Sequence, residues 1–157
     1  MESLKLVIFE VNGEEYGISV EYVVSIEKLG TVTALPEMAT YLKGLMKVRG
    51  ELIPLLDTKH ILFTETLEAK DKTRVIMVQL SELSVGLIVE DAKEIMDVPQ
   101  ESVKSLNLFG SQTTTYIQGM VNLENRLIAI LDPSSLVNSL NGMESIKEAV
   151  EKQEVKN

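Results

Sequence analysis

An internal duplication is the feature that most limits the folds open to this chain. Residues 41–62 (YLKGLMKVRGELIPLLDTKHIL) align without a gap to residues 116–137 (YIQGMVNLENRLIAILDPSSLV), and residues 6–26 resemble residues 74–95. Most of the matched positions are aliphatic, so the two units share one core pattern. A chain of 157 residues built this way fits one domain or two small lobes that share a core.

The hydrophobic pattern predicts β-hairpins in both units. Aliphatic runs at Leu6–Val11 and Val75–Leu80 are each followed by a turn, and Asn12-Gly13 is a strong hairpin signal because both residues tolerate positive φ. Two further hairpins turn at Arg49-Gly50 and at Glu124-Asn125. These strands are apolar on both faces, which favours barrels or packed sheets over a sheet with one wet face.

Short helices are predicted after the later hairpins. Asp57 caps a helix over residues 58–62, and Asp132, with Pro133 at the first helical position, caps one that ends at residues 141–142. Because the two aspartates are equivalent in the repeat, capping explains them better than catalysis does.

The predicted boundaries follow from the same alignment. One domain covers residues 1–142, with repeat copies at about 6–62 and 74–137 and a charged linker at about 65–72. The second copy contains an insertion, predicted as a polar loop that ends just before Tyr116. Residues 143–157 have apolar residues at helical spacing and are expected to form a short amphipathic helix or a frayed tail.

Composition excludes several classes of protein. There is no cysteine, so disulfides and thiolate metal sites are ruled out, and the formal net charge of −9 argues against a nucleic-acid partner. No apolar run approaches the roughly 20 residues of a membrane span, and an acidic residue lies where an export signal would be basic. We therefore expect a cytoplasmic protein that does not insert into the membrane.

The sequence contains no recognisable catalytic set. His60 is the single histidine and has no neighbouring metal ligand, and no phosphate loop, nucleophile elbow or metal-binding pair is present. A barrel that binds a small molecule would need polar residues converging on a cavity, and none is evident. We expect no enzymatic activity, no metal and no cofactor.

The two units differ most at one hairpin tip, where Arg49-Gly50-Glu51 is matched by Glu124-Asn125-Arg126. Drift between two solvated turns would explain the reversed charges. A second interpretation makes Arg49 a cationic anchor whose guanidinium pairs with a carboxylate or with backbone carbonyls of a partner. The residues alone leave both interpretations open.

The whole pattern resembles the CheW family of chemotaxis coupling proteins, from Leu6 to Leu140. The resemblance lies in the segments FEVNGEEYGISVEYVVSIEK, YLKGLMKVRGELIPLLD, VGLIVEDAKEIM and GMVNLENRLIAILD. The family signature reads close to G-x-x-N-L-R-G-x-x-x-P-x-x-D-L, and this chain matches it at Gly44, Arg49, Gly50, Pro54 and Asp57. It departs from the signature at Lys47, Val48 and Thr58.

The resemblance implies a mainly β fold, with two intertwined SH3-like five-stranded β-barrels on a shared core, short helices and a C-terminal helix. It implies a non-catalytic scaffold, monomeric when isolated, that couples the cytoplasmic tip of methyl-accepting chemoreceptors to the regulatory domain of the histidine kinase CheA. Such a protein is cytoplasmic and is recruited to membrane-associated receptor arrays. The alternative within this resemblance is an adaptor module of a CheV-like or kinase-regulatory type.

The resemblance also implies a receptor-facing set of residues. Val23, Gly44, Arg49 and Gly50 would lie at a groove between the two lobes. Taken alone, Val23 is more typical of ordinary core.

A second set would face the kinase, and it consists of Val75, Lys104 and Phe109. Phe109 is an aromatic residue in the inserted loop, where it either anchors an interface or folds back onto its own barrel. Taken alone, Lys104 is typical of a solvated lysine.

Overall fold

The computed structural model describes residues 3–81, 83–104, 116–140, 142, 143, 146, 148 and 150. Within them the protein is mainly β, which confirms the predicted fold class. The strands are β1 (Ser3–Val11), β2 (Glu14–Ser19), β3 (Val23–Lys28), β4 (Leu42–Val48), β5 (Glu51–Asp57), β6 (Arg74–Gln79), β7 (Ser84–Val89), β8 (Asp91–Pro99), β9 (Val103–Lys104), β10 (Ile117–Leu123) and β11 (Arg126–Leu131). The α-helices with defined bounds are α1 (Thr58–Phe63) and α2 (Pro133–Asn138), and 3-10 helices lie at Val20–Tyr22 and Gln100–Ser102.

The strands form two sheets that exchange halves of the repeat. One sheet, which we call the β1 lobe, has the order β8-β1-β2-β11-β10-β9, and the other, the β6 lobe, has the order β3-β6-β7-β5-β4. The first hairpin of each unit therefore pairs with the second hairpin of the other unit, through the parallel contacts β2–β11 and β5–β7. The two units are thus intertwined, as the resemblance implied.

Equivalent strands occupy equivalent places in the two lobes. β3 and β8 lie at matching edges, and each ladder skips one residue at the same point, Val24 in β3 and Lys93 in β8. The short strand β9, which gives the β1 lobe a sixth strand, is matched in the β6 lobe by a single bridge between Thr33 and Leu45. The repeat alignment therefore holds in three dimensions at these edges of the two sheets.

Both faces of each sheet are buried, but in different cores. The cluster between the lobes takes Phe9 and Ile18 from one lobe and Ile76 and Leu87 from the other. A separate cluster packs on the opposite face of each sheet, around Leu55 in the β6 lobe and around residues such as Ile8 and Ile128 in the β1 lobe. This arrangement explains why the strands are apolar at successive positions instead of alternating.

The two predicted aspartate caps are confirmed. Asp57 Oδ1 accepts a hydrogen bond from the backbone N–H of His60 at 3.0 Å, and Asp132 Oδ1 accepts one from Ser134 at 3.1 Å. Asp57 has a further role, because its Oδ2 accepts from the backbone N–H of Leu67 at 2.8 Å. Leu67 is only 5% exposed, so this aspartate also fixes the linker between the units.

The second helix ends earlier than predicted, at Asn138 instead of at residues 141–142. The hydroxyl of Ser139 donates to the carbonyl of Leu136 at 2.6 Å, and such local bonds compete with a continuing helical ladder. Gly142, with φ of 92°, then turns the chain into the C-terminal segment.

The predicted C-terminal helix is present at residues 143, 146, 148 and 150. Ile146 and Val150 are each 5% exposed and belong to the core between the lobes. This segment therefore packs on the body of the protein through its apolar side chains. None of the helices in the described segments is long and apolar enough to cross a membrane.

Candidate docking cleft at the first hairpin tip

The β4–β5 hairpin ends in a two-residue turn that presents Arg49. Arg49 and Gly50 have φ values of 51° and 86°, and two positive φ values are typical of tight hairpin turns. The strand ladder runs up to the turn, where Val48 pairs with Glu51. The Arg49 side chain therefore projects from the tip, and 73% of it is exposed.

The guanidinium of Arg49 forms an ion pair across the lobe. Its Nη2 lies 3.5 Å from Oε2 of Glu27 on β3, although β3 and β4 are the outermost strands in the order of this sheet. The sheet therefore curls until its two edges approach each other. An exposed ion pair of this kind contributes about 0.2–1 kcal/mol, so a carboxylate of a partner can replace Glu27 at little cost.

A cleft of about 260 Å³ lies beside this ion pair. Its base is apolar, because it is lined by Ile53 and Met77, which are almost fully buried in the cluster around Leu55. Val78 also lines the cleft, although its side chain belongs to the core between the lobes. Val24 also lines the cleft and is 58% exposed, at the point where the β3 ladder skips a residue. The other lining residues are Ser25, Val48, Arg49, Glu51, Gln79 and Ser84.

The polar groups of the cleft suit binding better than catalysis. The hydroxyl of Ser84 donates to Oε1 of Gln79, and Nε2 of Gln79 donates to the carbonyl of Leu80 at 2.8 Å, so these side chains are already engaged. The charged lining residues are Arg49 and Glu51. Across the described part of the chain, no group of three or more acidic or histidine side chains is placed to hold a metal ion. The cleft can therefore accept an apolar side chain and offer a guanidinium to an adjacent carboxylate.

The predicted receptor-facing residues fall in different places. Arg49 lines the cleft. Gly50 is the second residue of the same turn, and a Cβ added to it would have no atom within 4 Å. Gly44 and Val23 do not line the cleft. Gly44 is buried in β4, and Val23 packs against the core between the lobes, as its position alone suggested. The neighbouring Val24 is the residue that sequence reasoning missed. Two adjacent valines in a strand point to opposite faces, and this alternation was the available signal.

The lining residues all belong to the β6 lobe. They come from β3, the β4–β5 hairpin, β6 and β7, which are strands of a single sheet. The cleft is therefore formed within one lobe, whereas the resemblance implied a groove between the lobes.

The predicted kinase-facing residues are also separated. The side chain of Val75 is 0% exposed and packs in the cluster around Leu55, so it has no surface to offer a partner directly. Lys104 is exposed on the short strand β9, which pairs with Met120 and Val121 of β10. Phe109 lies outside the described residues.

Comparison with known proteins decides the family. A family model described as the CheW-like domain matches residues 5–141. The chain belongs to the CheW family.

Curated relatives agree with this membership, and a solved structure shares the fold. The chain is 33% identical over 135 residues to the chemotaxis protein CheW of Bacillus subtilis (strain 168), a match that covers 85% of this chain and 86% of the relative. It is 26% identical to the chemotaxis protein CheV3 of Helicobacter pylori, where the match covers 95% of this chain and 52% of the relative. The crystal structure of the scaffolding protein TtCheW from Thermoanaerobacter tengcongensis has the same fold, with a TM-score of 0.78 at 24% identity over 90% of this chain and 92% of that one.

The cleft lies in the β6 lobe, and the equivalent position in the β1 lobe holds a cluster of charged side chains. Arg126 donates to Glu15 through Nη2 at 2.7 Å and Nε at 3.1 Å, and Nη2 also donates to Glu94 at 2.9 Å. These hydrogen bonds hold the pKa of Glu15 below its usual value and raise the pKa of Arg126. Sequence reasoning noted the arginine but did not find its partners, because they lie far away along the chain.

Proposed function

We propose that this chain is a non-catalytic scaffold that couples the cytoplasmic tip of methyl-accepting chemoreceptors to the regulatory domain of the histidine kinase CheA. It acts in the cytoplasm, at membrane-associated receptor arrays. Membership of the CheW family and relatives named as chemotaxis proteins support this proposal. The observation that carries it is the exposed Arg49 beside an apolar cleft.

The cleft would take one apolar side chain and one acidic side chain from a helical receptor tip. The apolar side chain would pack over Ile53 and Met77, with Val24 beside it. Filling such a site with a buried leucine-sized side chain contributes about 1.5–3 kcal/mol. The acidic side chain would take the place of Glu27 on the guanidinium of Arg49, and the forked guanidinium suits a carboxylate better than an ammonium would.

The kinase would bind away from this cleft. Lys104 is the described residue that we propose for that contact, because it is exposed at a sheet edge on β9. Any effect of changing Val75 on kinase binding would act through packing, since its side chain is fully buried. A role for Phe109 stays a prediction from the resemblance.

Calorimetric titration of the purified chain with a receptor tip fragment, and separately with the CheA regulatory domain, tests the proposal. We expect Arg49→Glu to weaken receptor binding at least ten-fold, which corresponds to about 1.4 kcal/mol, because the new carboxylate repels both Glu27 and the incoming acid. Kinase binding should stay unchanged, and the thermal midpoint should fall by no more than about 4 °C, since the ion pair that is lost contributes at most about 1 kcal/mol.

Lys43→Glu is the matched control. Lys43 is exposed on β4, the strand that leads into the Arg49 turn, and the substitution changes the net charge equally, but Lys43 does not line the cleft. Equal losses in the two variants would show that only overall charge matters. Wild-type receptor affinity in Arg49→Glu would remove the cleft from the docking mechanism.

A further inference from the structure

The repeat allows the cleft to be compared, residue by residue, with the matching place in the β1 lobe. The apolar base is kept, since Ile53 and Met77 correspond to Ile128 and Ile8, which are both fully buried. The rim is different. The rim residues of the β1 lobe, each given with its equivalent in the β6 lobe, are Lys93 (Val24), Glu94 (Ser25), Arg126 (Glu51), Glu10 (Gln79) and Glu15 (Ser84).

Every one of these rim positions in the β1 lobe is charged, and the charges pair with one another. Nζ of Lys93 lies 3.7 Å from Oε1 of Glu10. Arg126 binds Glu15 with two hydrogen bonds and Glu94 with a third. We call these five residues the charged cover.

The charged cover reaches across the curled sheet. Glu94 lies on the edge strand β8, Glu15 on β2 and Arg126 at the start of β11. The side chains of Arg126 and Glu15 are only 30% and 18% exposed, so they are held more firmly than Arg49, which is 73% exposed. An apolar side chain that entered here would have to break these bonds and leave charges with fewer partners, which is costly.

The hairpin tip adds a second obstacle. Glu124 occupies the position that Arg49 occupies in the first unit, so the tip of the β1 lobe would repel the carboxylate that Arg49 attracts. Specificity of this kind needs features that exclude binding as well as features that favour it.

We propose that the charged cover prevents the β1 lobe from docking the acidic, amphipathic helix that the β6 lobe binds, so that a chain with two equivalent lobes has one receptor site. The inference rests on the proposed function. It gives a reason why the duplicated tips have reversed charges. Arg49 is exposed and available to a partner, whereas Arg126 is hydrogen-bonded to carboxylates of its own lobe.

A transplanted variant tests the inference by giving the β1 lobe the residues of the β6 lobe. Its substitutions are Glu10→Gln, Glu15→Ser, Lys93→Val, Glu94→Ser, Glu124→Arg, Asn125→Gly and Arg126→Glu. Sedimentation equilibrium and calorimetric titration with the receptor tip fragment should give two fragments per chain, against one for the wild type. Adding Arg49→Glu to this variant should leave one fragment bound, at the new site.

A reverse variant places the charged cover on the β6 lobe, with Val24→Lys, Ser25→Glu, Glu51→Arg, Gln79→Glu and Ser84→Glu. We expect it to lose receptor binding at least ten-fold while its circular dichroism spectrum stays native. A folded transplanted variant that still binds one fragment overturns the inference. If the transplanted variant does not fold, the reverse variant tests the inference instead. A reverse variant that binds the receptor tip fragment with wild-type affinity would then overturn it. Failure of the wild-type chain to bind the fragment would instead refute the proposed function.

Discussion

Replacing Gly44 with alanine tests a structural role for this residue. Gly44 has φ of 144°, and a Cβ built on it would overlap the carbonyl oxygen of Thr33 and lie 2.8 Å from Cγ1 of Val32. That carbonyl accepts a hydrogen bond from the backbone N–H of Leu45 at 2.8 Å, and the N–H of Thr33 donates back to Leu45 at 2.8 Å. An added methyl group must therefore push apart the bridge that joins the chain after β3 to β4.

The cost can be worked out from these contacts. Weakening two backbone hydrogen bonds costs about 0.5–1.5 kcal/mol each, and holding a residue with a Cβ at positive φ costs about 1 kcal/mol more. The free energy of unfolding should fall by about 2–4 kcal/mol, which for a chain of this length lowers the thermal midpoint by roughly 5–15 °C. Urea denaturation followed by circular dichroism measures the change.

Two other glycines serve as controls. Gly13 has φ of 76° but no atom within 4 Å of an added Cβ, so Gly13→Ala should lose only the backbone cost of about 1 kcal/mol. At Gly119, the repeat equivalent of Gly44, a Cβ would lie 2.7 Å from the carbonyl oxygen of Lys104, so Gly119→Ala should also lose more than Gly13→Ala. If Gly44→Ala and Gly13→Ala lose the same stability, the close approach of the two chain segments is not what requires glycine.

The ion pair of Glu15 and the cap of Asp57 give two further tests. Because the hydrogen bonds of Arg126 hold the pKa of Glu15 below 4.5, Glu15→Gln should reduce the urea midpoint at pH 7. The difference between the two midpoints should begin to shrink as the pH falls below 4.5, where the unfolded chain takes up the proton, and should vanish below the lowered pKa of folded Glu15. A difference that persists at still lower pH would contradict this. Asp57→Ala should cost about 2–4 kcal/mol, since it removes a helix cap and a bond to Leu67. The hydrogen bonds of the Asp132 side chain to described residues lie within its own helix turn, so Asp132→Ala should cost less, and equal losses would refute the linker role.

Much of the fold was predictable because its signals are local. Turn residues such as Asn12 and Gly50 require positive φ, and the structure has them there. The aspartate caps and the hairpin strands follow from short patterns of the same kind. The end of α2 was mispredicted because a hydroxyl of Ser139 takes a helix carbonyl, a contact that depends on the side-chain rotamer and not on the sequence pattern.

The candidate site was predictable only in part. Arg49, predicted from the mismatch between the two tips and from the resemblance, lines the cleft. Val24 lines it and the predicted Val23 does not, because one residue of register decides which face of a strand a side chain occupies. Glycine at position 44 was assigned to docking, although its surroundings show a close backbone contact that the signature alone does not reveal.

The sequence by itself determined that there are two equivalent units, where their hairpins turn and which aspartates begin the helices, since each of these depends on residues within a few positions of one another. Only the tertiary structure decided that the units exchange halves, and which of the two tip arginines is exposed. Arg126 meets Glu15 across 111 residues of chain, while Arg49 meets the partly exposed Glu27. Contacts between residues so far apart in sequence depend on how the sheets curl and how their strands pair. A local sequence pattern does not specify this curvature or pairing.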